Sequence, residues 1–536
     1  MLNHMLAVIL FLQPARSPLA ETAELRLETA SIPEIGEALD AGALTSVTLV
    51  ELYLDRIHAY DDQGPAINSI ISLNPRALKI AAELDRERAA AGSRGPLHGI
   101  PILLKDNFDT VDLPTTAGSI ALAGSIPGRD ATLVERLRAA GAIILGKTNM
   151  SEFATPAGRG SYSSLNGVTR NPYDLRRDPS GSSGGTGAAI AANFATIGFG
   201  TDTGGSVRGP AAANGLVGLR PTYGLISRHG VIPQALSLDT PGPLARTVTD
   251  VAVVLGIVAG PDPNDEVTMS SGVAPHRDYT AFLHADALRG VRIGVARDYF
   301  GGDSEVDSLA LAAVQAMEGL GATIVDDLVF DDAFHALQRG LRRHVNAEFK
   351  PQIEAYLAGL DEGYPRSLAE LISIYESREV RDSPNPVNPG LIETHKRNLE
   401  IGGLDNPDYL EAIREGLPRA RAELTRLFDE YDLDALVYPT SRCPAQPLFD
   451  VSDIEFECAP GPSGATLASY SGFPDIQVPM GYTRSGLPTT ISLVGRWFSE
   501  ATLLGYAYTF EQATRHRRPS PLTPHLPGET VQWRSR

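Results

Sequence analysis

Asp178-Pro-Ser-Gly-Ser-Ser-Gly-Gly-Thr-Gly187 runs into the apolar stretch Ala188–Phe194, the strand-like Ala195–Gly200, and then Gly200-Thr-Asp-Thr-Gly-Gly-Ser-Val-Arg-Gly-Pro210. A Gly/Ser run is ordinarily a flexible linker. This one is wedged between a helix-like and a strand-like segment, where a linker has no place. Its glycines therefore read as backbone that adopts unusual dihedrals and passes close to a reacting group. A phosphate-binding loop does not fit, because no Gly-Lys-Ser/Thr follows.

Outward from this segment the chain alternates. Short β-like runs bounded by Gly and Pro occur at Ile100–Lys105, Ala142–Leu145, Arg292–Ala296, Thr323–Val325, Ala435–Tyr438, Asp475–Val478 and Thr489–Val494. Helical periodicity appears at Ala131–Ala140, Gly187–Phe194, Val248–Gly260 and Glu500–Thr514. Such alternation predicts an α/β fold, a sheet with helices on both faces. Before it, Ile32–Gly92 is helical, with Ser31 or Ser46 as caps and Val47–Tyr60 and Pro75–Ala90 as amphipathic stretches of an outer layer. From about 341 to 417 the pattern turns polar and helical, interrupted by Ser383-Pro-Asn-Pro-Val-Asn-Pro-Gly390. This is either a surface insertion or a lid over a substrate entrance. Residues 21–520 read as one domain, with 521–536 as a C-terminal tail.

A net charge of −19 argues against nucleic-acid backbones and anionic membranes as partners. No metal or cofactor is expected: there is no Cys-x-x-Cys or His-Glu-x-x-His, and the histidines are scattered. Residues 1–20 have features of a signal peptide, namely the short apolar run Leu6–Leu12 and a small-residue end at Leu19-Ala20. Against it stand the absence of Lys or Arg before that run and the early Pro14 and Pro18. A cleaved leader places the protein in the periplasm or outside the cell; otherwise it is cytoplasmic. Export would also permit a bridge between the two cysteines, Cys443 and Cys458.

Gly181-Ser182-Ser183-Gly184-Gly185 spells Gly-x-Ser-x-Gly, the nucleophile elbow of α/β-hydrolases, with Ser183 as nucleophile. That turn needs a strand just before it, and Leu175-Arg-Arg-Asp-Pro-Ser180 is polar and broken by Pro179. A better match joins three separated motifs: Gly99-Ile-Pro-Ile-Leu-Leu-Lys-Asp-Asn107, the Gly-Ser-Ser-Gly-Gly segment, and Gly204-Gly205-Ser206-Val207-Arg208 embedded in Gly200–Pro221. With Gly146-Lys-Thr-Asn-Met-Ser-Glu-Phe153 between them, the chain resembles the amidase signature family from about residue 32 to 516. Within it, Gly95-Pro-Leu-His-Gly-Ile100, Asn214-Gly-Leu-Val-Gly218 and Glu511–Pro519 are similar to bacterial peptide amidases. Gly209, where members often carry a larger residue, departs from the pattern just past the nucleophile.

The resemblance implies a single large domain with a mixed central sheet. It also implies Ser206 as nucleophile, Ser182 as bridging serine beside a cis Gly181–Ser182 peptide, and Lys105 as general base. The backbone amides of Thr203, Gly204, Gly205 and Ser206 become the oxyanion hole, supported by Ser183, Asp202 and Arg208. A lysine serves as base only when neutral, so Lys105 must be buried, which its apolar run Ile100–Leu104 predicts. The implied activity is metal-independent hydrolysis of C–N bonds in small or peptide-like amides, by a monomer or homodimer. The alternatives are an amidase-like component of a tRNA-dependent amidotransferase, and a carbamate or ester hydrolase on the same three residues.

Overall fold

The computed structural model describes residues 22–270, 274–401 and 403–534, so the leader expectation for 1–20 lies outside the described residues. Pro101–Lys105 is a strand buried at every position. Apolar on both faces, it suits the interior of a parallel sheet. It pairs in parallel with Ile143–Thr148 on one side and Ile197–Asp202 on the other. Around these strands grows an eleven-stranded sheet. From one edge its order is 323–328, 292–296, 435–439, 488–494, 475–482, 217–220, 240–245, 197–202, 101–105, 143–148 and 70–73. The 292–296 strand pairs in parallel with both neighbours, and the strands from 435–439 to 197–202 pair antiparallel, which makes the sheet mixed.

Helices Gly184–Ala191, Val248–Val258, Ser304–Gly319 and Glu500–Thr514 supply the covering layers. Their buried residues join the sheet in one large apolar cluster. Ser31 caps Ile32–Asp40 in a capping box with Glu34, while Thr45, not Ser46, caps Ser46–Ile57.

Three strands of the sheet lack a sequence signal. Thr240-Pro-Gly-Pro-Leu-Ala245 reads as a turn, yet it lies inside the sheet. It tolerates Pro241 and Pro243 because its second neighbour, Val217–Arg220, overlaps it only at Leu244 and Ala245. Ile70–Leu73 and Val217–Arg220 are four residues each, too short for an alternation to show.

Thr530–Arg534 pairs antiparallel with Thr22–Arg26. Beside this pair the buried Glu529 takes both bonds of a bidentate contact from Arg56, at 2.8 and 2.9 Å. The polar 341–417 region forms helices Phe349–Ala358, Leu368–Tyr375 and Pro389–Glu400. These close a separate apolar cluster with Ala117, Met150 and Phe153 from loops at the end of the sheet. Its Pro-rich loop is tied down by Asn388 Nδ2, which donates to the carbonyls of Pro156 and Ala157 at 3.2 Å. Cys443 and Cys458 are joined by a disulfide, with Cα atoms 5.9 Å apart. Among the described residues no helix is long and apolar enough to cross a membrane.

Candidate active site

Lys105 ends its strand with the side chain fully buried. Its Nζ lies 2.7 Å from Ser182 Oγ and donates to Thr201 Oγ1 at 2.8 Å. Asn107 Nδ2 also donates to that threonine, at 3.0 Å. Burial pushes the lysine from an ordinary 10.5 down to about 7, against the attraction of Asp239 and Asp202. An amine so placed is substantially neutral at neutral pH.

Ser182 follows a cis Gly181–Ser182 peptide and is itself fully buried. Its carbonyl accepts from the Ser151 amide at 3.0 Å. Ser183 then fastens the Gly/Ser loop to its surroundings. Its hydroxyl donates to the Thr201 carbonyl and accepts from the Thr201 amide, both at 3.3 Å, and its amide donates to the Ser206 carbonyl at 3.2 Å. With its hydroxyl committed to backbone, no access to solvent, and a loop instead of a strand before it, Ser183 does not form a nucleophile elbow.

Ser206 sits in the turn between the Ile197–Asp202 strand and helix Arg208–Ala213. At 7% exposure it is the most open of the three motif residues, since Lys105 and Ser182 are at 0%. The turn requires glycine at 205, where φ is +114° and a Cβ would come 2.9 Å from the Ala465 side chain. One oxyanion assignment needs correction. The Gly205 amide donates to Asp202 Oδ1 at 2.9 Å, so it braces the turn instead of facing a substrate. The reason is local: Asp202 ends the strand with its carboxylate folded back under the turn, where it also accepts from the Val207 amide at 3.0 Å.

Arg208 holds that carboxylate from below. Its Nε and Nη2 donate to Asp202 at 3.1 and 2.9 Å, and Nη1 donates to Asp475 at 3.1 Å. Arg220 adds a third contact to Asp202, at 2.9 Å. Burial opposes ionisation of Asp202, but the two guanidinium groups outweigh it and hold the carboxyl far below its usual range. Asp202 and Arg208 are thus an ion pair beneath the turn, with Arg220 and Asp475 completing it.

Sequence motifs passed over Thr201, Asn107, Arg220, Asp239 and Asp475. Thr201, Asn107 and Arg220 lie inside the motif segments and carried a signal through position. Asp239 lies outside all of them. Among the described residues, Glu28, His525 and Glu529 come together with metal-ligand geometry. Glu529 is already engaged by Arg56, so this cluster braces the paired terminal strands.

Two clefts adjoin the turn. One, of about 450 Å³, is lined by Gly204, Gly205, Thr440 and Ser463 among others. The other, of about 260 Å³, reaches Ala212, Phe456 and Pro488. Ser180, Gly209, Ser441 and the Cys443–Cys458 disulfide border both.

The amidase family model matches residues 48–504. Native peptide amidase from Stenotrophomonas maltophilia superposes with a TM-score of 0.81 at 39% identity, covering 92% of this chain and 99% of that one. A component of the glutamyl-tRNA(Gln) amidotransferase of Halorhodospira halophila is 36% identical, over 90% of this chain and 97% of its own length. A probable amidase of Arabidopsis thaliana is 35% identical, over 92% and 91%. By the extent of these matches, and with its three motifs converging on one turn, the chain belongs to the amidase family.

Proposed function

We propose that this amidase hydrolyses the C–N bond of peptide amides, aryl amides or related small amides through an acyl-enzyme on Ser206, with Lys105 as base acting through Ser182. The observation that carries this reading is Lys105 itself, a fully buried amine 2.7 Å from Ser182 Oγ and pushed down to about 7. A serine hydroxyl is a weak nucleophile until a neighbouring base removes its proton. Ser206 Oγ attacks the carbonyl carbon while its proton passes to Ser182, whose own proton goes to Lys105. The amides of Thr203, Gly204 and Ser206 receive the developing oxyanion, a role worth roughly 100-fold per donor. The proton then returns along the same path to the amide nitrogen, which leaves as ammonia or an amine. Water repeats the path to release the acid.

The clefts beside Gly204 and Gly209 support an extended, neutral acyl chain. Their lining is rich in hydroxyls and small residues, with Phe456 and Pro488 in the smaller cleft, and the charged Arg208 and Asp475 in the larger one are already paired with each other. Blocked peptide amides and aryl amides should therefore exceed long-chain fatty amides in kcat/KM, and internal peptide bonds should resist. A fatty amide that outran every peptide and aryl amide would refute the substrate class and leave the catalytic residues standing.

The residues themselves are tested by substitution. Ser206→Ala should abolish turnover in a folded protein, and Lys105→Ala and Ser182→Ala should each cost several orders of magnitude, because the three act as one path. An active Ser206→Ala protein beside a dead Ser183→Ala protein would overturn the assignment. The similarity to the amidotransferase component at 36% identity supports a second reading, in which the chain works inside a complex. Gel filtration with a glutaminase assay separates the two: a self-contained enzyme without glutaminase activity favours the first.

A further inference from the structure

Thr201 lies in the Ile197–Asp202 strand, and Thr203 stands two residues on, just past its end. Lys105 Nζ donates to the first. The hydroxyl of the second donates to Asp239 Oδ1. Sheet register explains that contact. The ladder ends where Thr201 pairs with Pro241 and Asp202 with Thr240, and Thr203 and Asp239 are the residues that directly flank that last pair. Asp202 lies between the two threonines, and Arg208 and Arg220 neutralise it. Asp106, next to Lys105 in the chain, pairs with the buried Lys147 at 3.5 Å. Asp239 is only 4% exposed, yet among the described residues it has no ion-pair partner. Its second oxygen accepts from the amides of Gln234 and Ala235, at 2.8 and 3.0 Å.

The reaction proposed above puts a positive charge on Lys105 each time the lysine takes up the proton that Ser182 passes on. A buried ammonium is costly unless an opposite charge faces it. Of the two carboxylates that attract Lys105, Asp239 and Asp202, only the first lacks an arginine of its own. We propose that Asp239 is a positioning residue that supplies the counter-charge for the Lys105 ammonium and, through Thr203, holds the turn carrying the oxyanion amides. No proton moves to Asp239; it stays on Lys105 until returned to the leaving nitrogen. This inference rests on the Ser206–Ser182–Lys105 reading.

The other charged groups around Asp239 come from separate elements: Arg220 from its strand, Arg228 from the following loop, and Glu348 from the helical insertion. Burial pushes Asp239 up to about 6, helped by Glu348, so the counter-charge disappears one step below the point where Lys105 gains its proton.

The test is the acid limb of kcat/KM for the full chain on a blocked dipeptide amide. In the wild-type enzyme log kcat/KM should fall with a slope of one below about pH 7 and steepen to two below about pH 6, as both groups take up protons. Asp239→Asn keeps an acceptor for Thr203 without the charge. It should lower kcat about tenfold or more, move the acid limb down by about half a pH unit or more, and leave a slope of one throughout. Thr203→Val, which retains the charge, should lower kcat without removing the second step. A one-proton limb in the wild-type enzyme would overturn the proposal even if Asp239→Asn failed to fold. So would an Asp239→Asn enzyme within about twofold of wild type with its limb unmoved. Full activity of Lys105→Ala would instead refute the base on which the proposal rests, a distinguishable failure.

Discussion

Replacing Lys105 with methionine keeps an unbranched side chain, one atom shorter, and removes the amine, so it measures what the buried amine costs the fold. The folded lysine falls from an ordinary 10.5 to about 7 because it is buried. At about 1.4 kcal/mol per pH unit, holding it inside costs the native state about 5 kcal/mol at pH 7, relative to an unfolded chain where the lysine is charged and hydrated. The depressed value fixes the sign. The cost is absent above about pH 10.5, grows as pH falls, and levels off near 7. Methionine forgoes the contacts to Ser182 and Thr201, each worth about 1 kcal/mol net. Thr201 still has Asn107 as a partner. Lys105→Met should thus be more stable than wild type by about 3 kcal/mol at pH 7, and less stable by about 2 kcal/mol above pH 10.5, while inactive throughout. Urea unfolding followed by tryptophan fluorescence, repeated between about pH 7 and about pH 10, should show the difference shrinking by about 1.4 kcal/mol per pH unit. A difference that stays flat over that range would mean that Lys105 is charged in the native state, and the lysine base would have to be withdrawn.

Arg208→Met leaves Asp475 buried without its cation and Asp202 with Arg220 alone, and should lower stability by about 3–5 kcal/mol in the same urea assay. Wild-type stability in that variant would remove Arg208 from its place as the brace of the turn. At the mouth of the clefts, a Cβ added at Gly209 would meet Ser180 Oγ at 2.7 Å, a flexible neighbour that can turn away. Gly209→Val should therefore fold, raise KM for blocked peptide amides about tenfold, and leave a small aliphatic amide within about twofold. Equal losses on both substrates would mean that the cleft beside Gly209 does not hold the acyl chain.

Much of the sheet was legible because its strands are apolar runs bounded by Gly and Pro, and its long helices keep a clear period. Glu500–Thr514 and Arg292–Ala296 appear with the boundaries expected from their patterns. What stayed hidden has a physical reason in each case. Thr240–Ala245 carries two prolines and a glycine, and only the limited overlap with Val217–Arg220 makes it a strand. Thr530–Arg534 alternates polar and apolar residues over only five positions, and its place is decided by pairing with Thr22–Arg26, near the opposite end of the chain. No local pattern reports a partner so remote. The same holds for the 341–417 region, whose periodicity shows helices but not that Phe349 and Tyr375 would close over Phe153.

The site divides along the same line. Lys105, Ser182 and Ser206 lie in motifs whose spacing is their signal, and Asp202 and Arg208 travel with them. That the Gly205 amide would be taken by Asp202 was not legible, because whether an N–H in this turn meets a carboxylate depends on where Asp202 turns. Asp239 was not legible at all. Two carboxylates meet at one strand end, Asp202 as the strand's last residue and Asp239 just before the neighbouring strand Thr240–Ala245 begins. The first meets two arginines and becomes scaffold; the second meets a threonine and two amides, with no ion-pair partner among the described residues. Aspartate is the same residue in both places. What separates a brace from a counter-charge is the set of partners each one meets, and those partners are brought together only in the assembled sheet.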